Sequence, residues 1–255
     1  MLFILDIIEK DKTFKGRIRE LFKKDTTEIN VIPVFDGKSF CRMGTRKRKG
    51  EILWNRVSEQ LKENDRLIVP LDISVPEEYS HCLFKGERLW DYMLFNSAIN
   101  EIKKAKINPA QNRVALIDYG GIYARLVERL LFLAADICVI TAKDEKYKAV
   151  SEELMKNYGF SLVIKTEPDD SLIDFNYIIS PENRFVPLRF KGVAFCKNKK
   201  RLLNGKCLVG GGFSLPQQYE ELWNKKLNKL QFACALYELC EVKELKNLCF
   251  TEMCS

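Results

Sequence analysis

The chain has one histidine, His81, in 255 residues. Histidine is the usual side chain for moving protons near neutral pH, so chemistry built on paired imidazoles is excluded. Its neighbour is Cys82, but adjacency in sequence does not make a catalytic pair, because the two groups must also meet in space. No C-x-x-C pair occurs among the nine cysteines. A zinc ribbon or a thioredoxin-type dithiol is therefore not expected, and no metal site is assigned. An odd cysteine count without a paired framework fits a reducing compartment, and a cytoplasmic location is expected. No run approaches the ~20 apolar residues of a membrane-spanning helix. The opening Met1-Leu2-Phe3-Ile4-Leu5 is interrupted by Asp6 and lacks a basic leader, so it reads as a strand and not as a signal peptide. Repeats of fixed period and long polar low-complexity tracts are missing too, which argues against solenoids and disorder.

What is present is ordinary for a packed α/β protein. Hydrophobic residues make up 46% and charged residues 30%, with a formal net charge of +7. The positive excess is concentrated. Between Glu182 and Glu220 there is no acidic residue, while Arg184, Arg189, Lys191, Lys197, Lys199, Lys200, Arg201 and Lys206 fall in that span. A second basic run holds Lys38, Arg42, Arg46, Lys47, Arg48 and Lys49. Neither run has the interleaved aromatics of a base-stacking platform, so each reads as a solvated basic face and nucleic acid is not an expected partner.

The informative stretch is 113–158. Val114-Ala115-Leu116-Ile117 is a short apolar run of the kind found in parallel strands buried on both faces. Asp118-Tyr119-Gly120-Gly121 breaks it. Ile122, Leu126, Leu130 and Leu133 then recur at helical spacing. Ile137-Cys138-Val139-Ile140 is a second buried-strand run. Tyr147, Val150, Leu154 and Tyr158 mark a second helix, stopped by Gly159. The unit is βαβα, the start of a right-handed parallel sheet.

Around it the chain divides as follows. Residues 1–88 form a small α/β domain of βαβαβ order, with strands at 2–8, 30–35 and 66–73 and helices at 17–24 and 52–63. Asp36-Gly37 is a turn signal, and 38–50 reads as a polar loop. Residues 89–111 are a connecting helix and linker, ended near Pro109. Residues 112–212 are a Rossmann-like parallel-sheet domain, with further strands at 160–165, 175–180, 192–196 and 206–209. Gly210-Gly211-Gly212 reads as a flexible turn, able to form a phosphate nest. Residues 213–255 are C-terminal helices packing back between the domains, with a frayed end after 248.

Candidate ligand contacts follow from the glycine turn. A dinucleotide fingerprint places glycines after a strand so that backbone N–H groups reach a pyrophosphate at a helix N-terminus. Aligned with it, the chain reads Tyr119-Gly120-Gly121-Ile122-Tyr123-Ala124. Gly121 and Ala124 fit. Tyr119 replaces the first glycine, and its side chain resists a left-handed turn. Asp118 brings negative charge towards where phosphates would lie. Tyr119, Gly120, Gly121 and Ile122 are the expected cofactor contacts. Lys143, after the second strand, suits the 2′-phosphate of NADP. Ser180 closes the fourth strand and completes the expected cofactor set.

This layout resembles the shikimate dehydrogenase group: an α/β domain, a linking helix, a Rossmann domain and returning helices. Gln231-Phe232-Ala233-Cys234-Ala235-Leu236-Tyr237-Glu238 is similar to that family's closing helix, in which the Gln faces the substrate. The resemblance covers about 113–241. It implies an NAD- or NADP-dependent oxidoreductase acting on a small molecule in an interdomain cleft, with Gln231 as a substrate contact. The family's Asn-Val-Thr-x-Pro-x-Lys motif has no counterpart in this chain, and no catalytic residue is assigned. Two further readings stand beside it. One is a non-catalytic Rossmann protein serving as a binding or scaffold subunit. The other is an S-adenosylmethionine-dependent methyltransferase, faintly echoed by Asp118-Tyr119-Gly120-Gly121.

Overall fold

The computed structural model describes residues 1–8, 27–48, 50–181, 187, 189–199 and 201–255. The helix expected at 17–24 and the basic residues Lys49, Arg184 and Lys200 lie outside them. The chain forms two compact units, one of residues 1–90 with 215–246 and one of residues 91–214 with 247–255.

In the first unit, β1 (Leu2–Ile7), β2 (Glu28–Phe35), β3 (Lys38–Thr45) and β6 (Arg66–Ile68) form a sheet of order β2-β3-β1-β6. Between β3 and β6 come β4 (Lys47–Arg48), β5 (Glu51–Ile52) and α1 (Trp54–Ser58). The polar loop expected at 38–50 is instead mostly strand. Asp36 and Gly37 both have positive φ, 47° and 73°. Two such residues make the tight turn whose twist matches a hairpin, so the chain reverses and β3 pairs antiparallel with β2. β3 then runs parallel to β1, so a hairpin strand is added to the βαβαβ order expected for this region. Phe40, Cys41 and Met43 are buried between polar neighbours, and Cys41 and Met43 join Phe3, Leu5, Val57 and Leu67 in one core cluster. The helix expected at 52–63 is only α1. The strand expected at 66–73 stops before Pro70, which cannot donate to a ladder.

The second unit begins on α2 (Arg88–Lys104), whose Met93, Leu94, Phe95, Ala98, Ile99 and Ile102 are buried. Its sheet contains β7 (Arg113–Ile117), β8 (Asp136–Ile140), β9 (Val163–Lys165), β10 (Tyr177–Ser180), β11 (Val193–Cys196), β12 (Lys206–Gly210) and β13 (Met253–Cys254). The spatial order is β13-β12-β11-β10-β7-β8-β9, parallel throughout except for β13. Counted from β7, the six parallel strands run 3-2-1-4-5-6, the doubly wound Rossmann order. The fold class expected for this region is the one observed. Val114, Ala115, Leu116 and Ile117 are all fully buried, as a strand covered on both faces requires. α3 (Asp144–Tyr158) follows β8 and ends on Gly159 in the left-handed conformation, φ 67°.

Two expectations fail in this unit. Residues 124–130 form a 3-10 helix and not the α-helix read from a four-residue spacing. Ala124, Val127 and Leu130 are buried at a spacing of three, which matches three residues per turn. The end of the chain is also ordered. Gly211 N–H donates to Glu252 O at 2.9 Å, and Thr251 N–H to Gly212 O at 2.6 Å. The three glycines are thus a docking edge for the tail rather than a flexible turn. A Cβ at Gly210 would lie 2.4 Å from the Phe250 ring, so only glycine admits that approach.

The chain returns to the first unit with α4 (Gln217–Glu220) and α5 (Lys229–Leu239). Asn228 caps α5 by accepting the Gln231 N–H at 3.0 Å. Phe232 of α5 meets Phe40 of β3 edge-on, with ring centroids 6.1 Å apart. Among the described residues, no helix is long and apolar enough to cross a membrane.

Candidate functional site

In open α/β sheets a ligand binds beyond the carboxyl ends of the strands, where the strand order reverses. In the second unit that point lies between β7 and β10, so the residues after Ile117 and Ser180 define it. Asp118 continues the ladder past β7, its N–H donating to Ile140 O at 2.9 Å. The chain then turns on Gly121, φ 66°, whose N–H donates to Asp118 O at 3.2 Å. This turn faces the Asp118 side chain towards the start of the following 3-10 helix.

Asp118 is fully buried. Its Oδ1 accepts the Ile122 N–H at 3.0 Å. Its Oδ2 accepts the Tyr123 N–H at 2.8 Å and the Tyr147 hydroxyl at 2.5 Å. A carboxylate accepts all of these without a proton of its own. The turn therefore supplies its own acceptor. Tyr123 is fixed at its other end as well: its hydroxyl donates to Asp91 O at 2.7 Å, and its ring lies 4.9 Å from Phe95. Burial pushes the Tyr123 phenol well above its ordinary range, and the nearby charges of Asp91 and Asp118 push it further. It stays a neutral donor.

The expected cofactor contacts divide in the structure. Gly120, Gly121, Ile122 and Lys143 come together at this turn. The Gly121 and Ile122 N–H groups, expected to face a phosphate, donate to Asp118 instead. Tyr119 does not take the left-handed conformation; Gly121 does. The Tyr119 side chain packs against the core cluster that contains Ala115, Ile117 and Ile178. Space over Gly121 is taken as well. A Cβ added there would lie 3.0 Å from Lys146 Cδ and 3.1 Å from Lys143 Cβ. The Lys143 N–H is held by Thr141 Oγ1 at 2.9 Å. Ser180 is fully buried at the end of β10, in register with Cys196. Gln231 belongs to the first unit, where its Nε2 donates to Phe84 O at 2.9 Å. That bond uses a side-chain donor on the protein's own backbone.

The residue that sequence reasoning missed is Tyr147. It marks the apolar face of α3 and is fully buried, yet its hydroxyl completes the Asp118 shell. The available signal was chemical. An aspartate closing a fully buried strand requires donors, and tyrosine is an inward-facing helix residue that can supply one.

The Gly121, Ile122 and Tyr123 N–H groups of this turn already meet Asp118. Among the described residues, no group of three or more His, Cys, Asp or Glu is placed to hold a metal ion.

No family model matches the chain, and no curated protein matches it. Solved structures give faint similarities. The 5-ketofructose reductase of Gluconobacter sp. strain CHM43 is 12% identical with a TM-score of 0.31, over 76% of this chain and 77% of that one. The L-tryptophan dehydrogenase from Nostoc punctiforme is 12% identical with a TM-score of 0.32, over 95% of this chain and 72% of that one. A chorismate mutase/shikimate 5-dehydrogenase fusion protein from Clostridium acetobutylicum is 15% identical with a TM-score of 0.22, over 76% of each chain. All three are reductases or dehydrogenases by name.

Proposed function

We propose that the second unit is a Rossmann-type domain that works without a dinucleotide at its first turn, as a binding or scaffold subunit and not as a hydride-transfer enzyme. One observation supports this most: the Asp118 carboxylate accepts the Ile122 and Tyr123 N–H groups. In a dinucleotide site those donors answer phosphate charge. A pyrophosphate entering here would displace Asp118 and then stand beside it, like charge against like charge in a buried setting. Hydrogen bonds to a charged group contribute about 1.5–3 kcal/mol each. Losing a pair of them is of the size that separates micromolar from millimolar binding, about 4 kcal/mol.

The test is titration calorimetry of the full chain with NADPH, NADH, FAD and S-adenosylmethionine, each to about 1 mM. No saturable heat is the expected result. A micromolar Kd for any of them overturns the proposal.

A second reading, an NADP-dependent oxidoreductase, has one specific observation in its favour. Lys143 and Lys146 are exposed, and their stems flank Gly121, so their ammonium groups are available to a phosphate from the solvent side. If NADPH binds more tightly than NADH, and Lys143→Ala with Lys146→Ala abolishes the difference, this second reading replaces the first. The methyltransferase reading has less support, because Thr141-Ala142-Lys143 offers no carboxylate where a ribose would be held.

A further inference from the structure

The lone histidine and its neighbouring cysteine meet in space. They sit on a 3-10 turn, Glu77–Cys82, of the first unit. His81 Nε2 lies 3.2 Å from Cys82 Sγ. His81 Nδ1 lies 2.8 Å from the Glu78 carbonyl oxygen. A carbonyl only accepts, so Nδ1 carries the ring proton in the neutral tautomer. Nε2 is then the bare nitrogen and accepts the Cys82 S–H. The backbone oxygen thus does for this imidazole what a third residue does in a nucleophile–base–orienter set.

The other cysteines are unlike it. Cys41, Cys138, Cys196, Cys207, Cys234 and Cys240 are buried, whereas Cys82 is half-buried and His81 exposed. Burial pushes the Cys138 and Cys240 thiols up to about 11, which suppresses their thiolates. Cys249 and Cys254 reach solvent, but the chain holds no second imidazole to serve them. Glu77 and Glu78 are charged groups on the same turn, and α1, which packs against that turn, carries Arg56.

We propose that Cys82 is a base-assisted thiol that forms a mixed disulfide with a low-molecular-weight disulfide. The Cys82 proton passes to His81 Nε2. The thiolate sulfur attacks one sulfur of the disulfide, whose S–S bond breaks as the new Cys82 S–S bond forms. The departing thiolate takes up the proton from the imidazolium. No other oxidant is consumed, and the small disulfide supplies the oxidising equivalent.

The experiment treats the full chain with substoichiometric glutathione disulfide and maps the modified peptide by mass spectrometry. In parallel, the rate of thiolate release from an aromatic disulfide is followed for wild type, Cys82→Ser and His81→Gln, with circular dichroism confirming that the variants fold. Cys82 is expected to carry the first adduct, and Cys82→Ser to lose the fast phase. At pH 7, His81→Gln is expected to slow that phase by about ten-fold or more. At pH 10, where an ordinary thiol is ionised without help, the two rates should converge. Two outcomes would overturn the proposal: first labelling at Cys249 or Cys254, or an unchanged pH 7 rate in His81→Gln.

Discussion

Asp118 and Asp169 do the same local job in the second unit with different consequences. Each aspartate accepts backbone N–H groups at the approach to or start of a 3-10 turn: Asp118 from Ile122 and Tyr123, which lead into 124–130, and Asp169 from Ser171 in the turn Asp170–Asp174. Asp118 is fully buried and has a tyrosine hydroxyl as its third donor. The Asp169 side chain is 52% exposed and pairs with Lys165 at 2.6 Å. Removing the first exposes no route for water to the buried Tyr123 N–H, while removing the second leaves donors that water can satisfy. Burial, not the motif, decides whether such a cap holds the fold together.

The largest test of that difference is Asp118→Ala. It leaves the buried Tyr123 N–H without its acceptor and removes the Asp118 bond from the half-buried Ile122 N–H and from the Tyr147 hydroxyl. We expect a loss of about 3 kcal/mol or more in denaturant unfolding, against a small change for Asp169→Ala. A comparable loss in both variants would break the comparison. Next is Tyr147→Phe, which deletes one donor and keeps the ring. Its expected cost is about 1–2 kcal/mol by the same measurement, and no change would remove Tyr147 from the Asp118 shell.

The acid limb comes third. Hydrogen bonds from Lys165 and then Ser171 hold the Asp169 carboxyl down at about 2, below an ordinary value of about 3.9. A carboxyl depressed in the folded state gives stability that is fully present above the unfolded value and lost as pH falls through the folded one. Thermal melts should therefore separate wild type from Asp169→Asn near neutral pH, and the gap should close on going from about pH 4 to about pH 2. A gap that persists at pH 2 contradicts the assignment. The smallest expected effect belongs to His81→Gln, whose exposed ring should change stability by no more than about 0.5 kcal/mol. A larger drop in Tm would mean that His81 supports the fold as well as Cys82.

Legibility in the sequence follows the same line of burial. The runs Val114–Ile117 and Ile137–Ile140 declared themselves because strands covered on both faces must be continuously apolar. Gly159 marked the end of α3 because few other residues adopt its backbone conformation. β3 was hidden, since Lys38, Ser39 and Arg42 dilute its buried Phe40 and Met43, which point to opposite faces of the sheet. The Asp36-Gly37 signal was visible, but its meaning depended on recognising a strand on each side. Within the candidate site, the glycine turn was found and its occupant was not. Asp118 reads as a charge opposing phosphate, whereas in the fold its carboxylate accepts the Ile122 and Tyr123 N–H groups of the same turn.

From the sequence alone came the alternation of strands and helices in 113–180 and its parallel winding, because local apolar periodicity and the handedness of crossovers suffice for both. Tertiary structure decided everything that needs groups distant in the chain to meet. It set Tyr147 against Asp118 and docked the tail onto Gly211 and Gly212. Those are matters of direction and distance, and a linear order of residues contains neither.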